Sequence, residues 1–454
     1  MKTFTVLLLI LLVPSCKTNT LKSPPYADDF VLTNVNIIDV ERQRVLQSKT
    51  VVVIDGKIDS IDDHTPSLSR PNINIIDGAN GYITPGLIDM HVHMYEEAAY
   101  IFTLSHGVTH VRILNGVPKQ LEWRDNIASG KQIGSSSTVS SPIISGNKDA
   151  LLQHGVETEE EARAAIGKYH EQGYDLIKAY GNLNQTTLSA IIDESDKLAI
   201  PVAKHGPHAS GNMSLSMLAN LQSFEHVEDI FQGPLNHQFA VDKLPAVIAD
   251  IKVTKVPVTP TLNIYYQLTK LSQEKQAYLE KTTTQYTPDI IALETSFNQV
   301  DRWLQSSDKM AAYNQKKLRF LQQITKELNK NDVPLLVGSD SGVLLSPHGI
   351  ATHNEMRLLQ QSGMSSYDVL AAATIAPAKA LNLEQQIGKI QTNLNADFIF
   401  SKTNPINNLS ILQEPEAVIK NGRWFSKSDL KLMRDQAIDS RSMWDEFWVL
   451  LEAI

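Results

Sequence analysis

From Pro85 onward the chain alternates short apolar runs with longer amphipathic stretches, and that rhythm admits few folds. The runs are Gly86 to His91, Val108 to Leu114, Thr138 to Ile144, Asp175 to Tyr180, Pro201 to His205, Ser223 to His226, Val256 to Pro260 and Pro334 to Asp340. Each is short and rich in Val, Ile and Leu, as strands buried on both faces are. Between several of them lie amphipathic segments that open on capping or acidic residues, such as Thr158 to Glu171 and Thr187 to Leu198. Eight strand–helix units in succession predict an α/β fold, a (β/α)8 TIM barrel.

The flanks follow a different pattern. Residues 30–84 carry Val and Ile in strand-like runs punctuated by Asp55-Gly56 and Asp77-Gly78. Similar runs return over 385–428, with Asn421-Gly422 as a hairpin signal. The two segments are expected to complete one small β-sandwich domain around a barrel of residues 85–384. Residues 263–330 are longer than one barrel helix requires and predict a helical insertion that covers the barrel mouth or is purely structural. The tail, 429–454, reads as a C-terminal helix whose stripe of Trp444, Phe447, Trp448, Leu451 and Ile454 packs on the chain itself, on a partner subunit in a homo-oligomer, or on a membrane.

The N-terminus reads as an address. Lys2, the apolar run Val6 to Val13 and then Pro14-Ser15-Cys16 form the basic, apolar, small-residue series of a secretion signal over residues 1–15. Val13-Pro14-Ser15-Cys16 resembles a bacterial lipobox, which implies a lipid on Cys16, a tether over 16–29 and an exported protein anchored to a bacterial membrane. Cys16 is the single cysteine, so neither an internal disulfide nor a cysteine-based metal site can form. The chain has 41 Lys and Arg against 50 Asp and Glu, a formal charge of −9, and loss of residues 1–15 removes Lys2 and no acid. That balance excludes nucleic acid as a partner.

Chemistry gathers at the strand ends. His91 and His93 close the first predicted strand, and positions two apart share a face. His205 ends the fifth strand, His226 the sixth and Asp340 the eighth. Catalytic residues of such barrels come from the C-terminal ends of different strands, so four imidazoles and a carboxylate can converge there. Lys178 sits near the end of the fourth, apolar strand. Its neighbour by parity is Tyr180, whereas Lys204 precedes His205 and is turned away from the site.

The run Ile83-Thr-Pro-Gly-Leu-Ile-Asp-Met-His-Val-His93, with Lys178, His205, His226 and Gly338-Ser-Asp340, resembles the amidohydrolase superfamily, in its imidazolonepropionase-like and Xaa-Pro dipeptidase-like branch. Gly107-Val-Thr-His-Val-Arg112 and Ala371-Ala-Ala-Thr-Ile-Ala-Pro-Ala378 add to the likeness, which covers roughly residues 30–425. The resemblance implies two divalent metal ions, zinc by the donor set. His91, His93 and Asp340 would hold one and His205 with His226 the other, bridged by a CO2-derived carbamate on Lys178. The implied reaction is attack of metal-bound hydroxide on an amide of a small-molecule substrate, a dipeptide or N-acyl amino acid, with Asp340 moving the proton.

Substrate contacts are assigned on the same basis. Tyr180 could bond a substrate oxygen, and Tyr95 is a weaker candidate of the same kind. His208 stands where related deaminases carry a glutamate, three residues after the strand-five histidine, and could touch substrate. Arg112 could bind a substrate carboxylate or pair with a barrel acid. His348 and His353, near Glu355, could line the pocket. A lactone or other ester could take the place of the amide, and a non-catalytic binding lipoprotein on the same fold is the reading outside enzymes.

Overall fold

The structure, a computed structural model, describes residues 29–64, 73–150 and 152–452. The signal segment, Cys16 and nearly all of the tether lie outside these residues, as does Ile454. Parallel strands Leu87–Val92, Val108–Ile113 and Ser136–Val139 form one ladder. Ile177–Ala179, Val202–His205, Ser223–Glu225 and Val258–Thr259 belong to a second. The two join where Ser140 bridges Leu176, with the Ser141 amide donating to the Leu176 carbonyl at 2.7 Å.

The eighth strand is irregular but closes the ring. The Val258 amide donates to the Pro334 carbonyl at 2.9 Å on one side. On the other, the Asp340 amide donates to the His91 carbonyl and the His93 amide to the Ser341 carbonyl, both at 2.8 Å. The eight-membered barrel expected from the apolar rhythm is therefore present, with its last strand held by bridges rather than a continuous ladder. Asp340 has φ 53 and Gly342 φ 84, and a Cβ on Gly342 would stand 1.9 Å from the His93 carbonyl oxygen. The strand must turn sharply there to bring Asp340 to the mouth, and that turn ends the ladder.

Helix starts follow their caps. Thr158 accepts from the Glu161 amide at 3.2 Å and opens Glu159–Glu171, while Asn184 accepts from Thr187 at 2.9 Å and opens Gln185–Leu198. The second domain is a sheet of eight strands built from residues 30–85 and 398–426. Asp55-Gly56 (φ 49 and 77) and Asn421-Gly422 (φ 49 and 77) make the left-handed pairs that two-residue hairpins require. Lys57 bridges Asn395, so the sheet curls over a core of Phe30, Leu32, Val53, Ile58, Phe398 and Ile419.

The insertion resolves into two parts. Asp308–Lys330 is an ordinary barrel helix, capped by Ser307, with Leu318, Leu321, Ile324 and Leu328 buried. The added material is residues 262–306, beginning with the helix Leu262–Glu274. The tail departs from expectation: the single helix over 429–454 is two, Lys427–Asp439 and Met443–Leu451. Ser442, in extended conformation, caps the second by accepting from the Asp445 amide and so breaks the run. Nor does the aromatic stripe pack on the described surface of the chain, for Trp444 is 64%, Trp448 47% and Phe447 44% exposed.

The first tail helix buries Leu430, Met433 and Ala437 against Ile101, Phe102 and Phe425, and polar contacts fix the turn after it. Arg441 donates to Glu96 at 2.6 Å and to the Gln285 carbonyl at 2.6 Å, and also reaches the Thr287 carbonyl. Glu446 accepts the Asp289 and Ile290 amides at 3.0 and 2.8 Å. One buried arginine thus ties tail, insertion and the loop after the first barrel strand together. Replacing it strands a buried carboxylate. Arg441→Ala is expected to lose roughly 3 kcal/mol of unfolding free energy in guanidinium melts; a loss below about 1 kcal/mol would refute this role.

Candidate active site

The lower barrel is organised by a buried arginine. Arg112 and Leu114 share the inner face of the second strand, and the arginine is wholly buried. Its Nε donates to the Met90 carbonyl at 2.8 Å, Nη1 to Gln222 and Ser223 at 2.9 and 2.7 Å, and Nη2 to Glu225 at 2.6 Å. These contacts exclude Arg112 from the substrate-binding role offered by the sequence. Of its two expectations, pairing with a barrel acid is the one realised.

Glu225 is the residue that sequence reasoning missed. It accepts from Arg112 on one oxygen, with Ser223 on the same oxygen, and pairs with His91 Nδ1 at 2.8 Å on the other. Burial alone would raise its pKa, but Arg112 and then His91 hold it well below the usual carboxylate range. With Nδ1 fixed from behind, His91 presents Nε2 to the centre of the mouth, 3.5 Å from Asp340 Oδ1. His226 is fixed alike, Nδ1 lying 2.7 Å from the Thr261 hydroxyl.

The histidines form a continuous arc. Ring centroids lie 5.3 Å apart for His91 and His93, 4.7 Å for His91 and His226, and 4.5 Å for His226 and His205. His226 follows Glu225 directly, so alternation would send it out of the barrel; its φ of 68 turns it back over the mouth. Tyr180 stands at the end of the arc, its ring 4.2 Å from that of His205. Ligand atoms of His91, His93 and Asp340 all fall within 4.8 Å of one another. His93 Nε2 is 2.9 Å from Asp340 Oδ1, yet that oxygen has no hydrogen-bond partner, so the two aim at a shared point more than at each other.

Other polar atoms in the arc are buried without partners. Lys178, 1% exposed, has an unpaired Nζ, as do His205 Nδ1 and Asp229 Oδ2. Burial lowers the Lys178 pKa to about 8, against the pull of Glu225. His226 falls to about 3 and His205 well below its ordinary value, burial leading in both. Asp340 would be raised by burial but is held low by His91, His93 and His226. Neutral imidazoles, an ionised carboxylate and orphaned donors and acceptors in one buried arc are what a cation site requires.

The remaining candidates divide. Asp229, also missed, lies on the helix Glu228–Gln232 with Oδ2 3.3 Å from His205 Nε2, its pKa raised to about 7 by burial and then Glu228. Lys204 turns away, its ammonium donating to the His205 and Gly206 carbonyls at 3.1 and 3.0 Å. Tyr95 Oη accepts from Asn115 at 3.0 Å. His348 bonds Ser341 at 2.9 Å behind His93, and His353 bonds the His106 carbonyl at 2.8 Å. Glu355 accepts the Asn263 amide at 2.7 Å and caps the inserted helix. His208 is half-buried, and no hydrogen bond, ion pair or ring contact among the described residues joins it to the arc.

Comparison with known proteins places this geometry. The amidohydrolase family profile matches residues 82–425. The chain belongs to the amidohydrolase family. An imidazolonepropionase of Idiomarina loihiensis is 23% identical over 393 residues, 81% of this chain and 89% of that protein. Adenine deaminase 2 of a Bradyrhizobium species is 29% identical over 112 residues, only 21% of this chain and 19% of that one. Among solved structures, bottromycin amidohydrolase superposes with TM-score 0.75 at 20% identity, covering 92% of this chain and 91% of that one. A Xaa-Pro dipeptidase with bound methionine gives 0.67 at 20% identity, covering 88% and 100%. This amidohydrolase is accordingly a hydrolase of amide-type bonds with a His-His-Asp cluster at its barrel mouth.

Because Glu225 orients His91, its charge would support any metal held by the His-His-Asp cluster. Glu225→Gln is expected to weaken retention of a divalent metal about 10- to 100-fold in competition with a chelator. Unchanged affinity would show that the relay behind His91 is idle.

Proposed function

We propose that this amidohydrolase works with two divalent metals, zinc by the type of its donors, and cleaves the amide C–N bond of a dipeptide or N-acyl amino acid. The observation that carries the reading is Lys178: a buried amine with no hydrogen-bond partner among four histidines and Asp340. Left so, it costs desolvation without return. Attack of the neutral amine on CO2, with one proton released to solvent, would make it an anionic carbamate with two oxygens, one for each ion. His91, His93 and Asp340 would then hold one metal and His205 with His226 the other.

Bound metals supply Lewis acidity, which lowers the pKa of water and polarises a carbonyl. The chain's own groups do the rest. Asp340, kept ionised by the histidines around it, takes a proton from the attacking water and returns it to the leaving nitrogen. Tyr180 donates to a substrate oxygen from its place beside His205, with burial and then Asp340 keeping its hydroxyl protonated. His208, on the strand-five loop, is a neutral imidazole, lowered to about 4 by burial, and would meet only a substrate that extends beyond the arc.

Metal analysis beside a screen of N-acyl amino acids, dipeptides and lactones tests the reading. Wild type is expected to carry about two metals and to hydrolyse an amide, and Lys178→Ala to lose metal and activity together. Full metal content in that variant removes the bridging role, and turnover of lactones alone replaces the amide. The lowered Lys178 pKa of about 8 gives a further check. The neutral amine gains as pH rises, so apoprotein reconstituted with zinc at one fixed concentration of dissolved CO2 should activate faster at about pH 8.5 than at about pH 6.5. Equal rates would argue against carbamate formation.

The address at the N-terminus is part of the same proposal. Cys16 carries a lipid that anchors the exported enzyme to a bacterial membrane, on the strength of Val13-Pro14-Ser15-Cys16. Cys16→Ser should move the protein from the membrane fraction to the soluble one. Retention in membranes would point to the exposed aromatic tail instead.

A further inference from the structure

The inserted residues 262–306 form one wall of a pocket. A pocket of about 420 Å³ opens between the helix Leu262–Glu274, the segment Asp301–Leu304 and the loop after the eighth barrel strand. It is lined by Ile264, Leu268, Trp303, Val343 and Leu344, together with Gln299 and Arg302. Ile264 and Leu268 are four apart and share one face of their helix, half-buried, so their methyl groups remain open to the pocket. Five of its seven lining residues are apolar, and Arg302 is the one that carries a charge. The volume falls within the range that small-molecule sites occupy.

Both walls grow out of the active site. Val343 lies three residues beyond Asp340, a reach of at most about 11 Å. Ile264 lies three residues beyond Thr261, whose hydroxyl holds His226. The pocket is also preformed. Asn263 donates to the Ser339 carbonyl at 3.0 Å and the Ser346 hydroxyl at 2.7 Å, while Glu355 accepts its amide. Leu271, Val300 and Leu345 add a small apolar core that fastens the insertion to the strand-eight loop. Leu344 is held at φ 53, a conformation unfavourable for a leucine, and it faces this space.

We infer that this pocket is the specificity subsite of the enzyme and receives an uncharged apolar group of the substrate beside the scissile amide. The inference rests on the amide-hydrolase reading above and adds the substrate class: amides bearing a hydrophobic group of several carbons, in preference to small or charged ones. The group can come from a long acyl chain or from an apolar amino-acid side chain. Each methylene taken from water into such a pocket is worth about fourfold in binding, so selectivity over a short analogue should be steep.

Two variants and two substrate series test it. Leu268→Trp fills the pocket and Trp303→Ala removes its largest wall; both are checked for native folding by thermal melts. One series varies the acyl chain from acetyl to octanoyl on alanine, and the other keeps acetyl and varies the amino acid from alanine to leucine and phenylalanine. Wild type is expected to prefer the larger group in one series, which identifies its source, and each folded variant should lower that kcat/KM ratio at least tenfold. A ratio changed less than twofold in both variants overturns the subsite.

Binding of octanoate and 3-phenylpropionate, measured against acetate by calorimetry, separates this claim from the reading beneath it. Should no amide be hydrolysed, loss of apolar acid binding in Leu268→Trp still supports the subsite while the amide-hydrolase reading fails. Absence of apolar acid binding in wild type, with hydrolysis intact and indifferent to chain size, removes the subsite alone.

Discussion

Arg112 lies wholly out of water inside the barrel, and the arrangement above it depends on how that charge is met. All three nitrogens of its guanidinium are met, by a carbonyl, two neutral side chains and Glu225. A buried ion pair of this kind contributes little net stability, since desolvation offsets attraction, but removing either partner leaves a stranded charge. What the pair secures is geometry. Glu225 uses its second oxygen to fix His91, and three strands are thereby locked in register below the mouth.

Above that layer the polarity pattern reverses. Below, every nitrogen of Arg112 has an acceptor; at the mouth, Lys178, His205, Asp229 and Asp340 each carry a buried atom with no partner. Folded chains rarely tolerate several such atoms together. The contrast within a few ångströms separates scaffold from site more sharply than any single distance does. It also explains why His226 at φ 68 and Asp340 at φ 53 are left-handed: both spend backbone energy to aim side chains inward.

Much of this was legible in the residues themselves. Apolar rhythm carried the barrel, and alternation put Lys178 with Tyr180 inside and Lys204 outside. Alternation failed at His226, because a left-handed residue is imposed by tertiary packing and leaves no mark on a run of letters. Glu225 had a signal, its parity with Ser223 in Ser223-Phe-Glu225, but the adjacent histidine drew attention away. Arg112 was ambiguous because an arginine reads alike whether it faces solvent or a buried acid. The break at Ser440-Arg441-Ser442 carries no glycine or proline, and the aromatic stripe begins only beyond it at Trp444, so one helix reads as readily as two; the insertion's pocket forms only when distant loops meet.

The central claim is that the orphaned groups of the arc enclose two metals bridged by a carboxylated Lys178. Anomalous diffraction at the zinc edge, on crystals grown with zinc and bicarbonate, tests it most directly. The account predicts two peaks, one among His91, His93 and Asp340 and one beside His205 and His226, with branched density beyond the Lys178 Nζ joining them. A single peak, with Lys178 unmodified and its ammonium paired to Glu225 or Asp229, would contradict it.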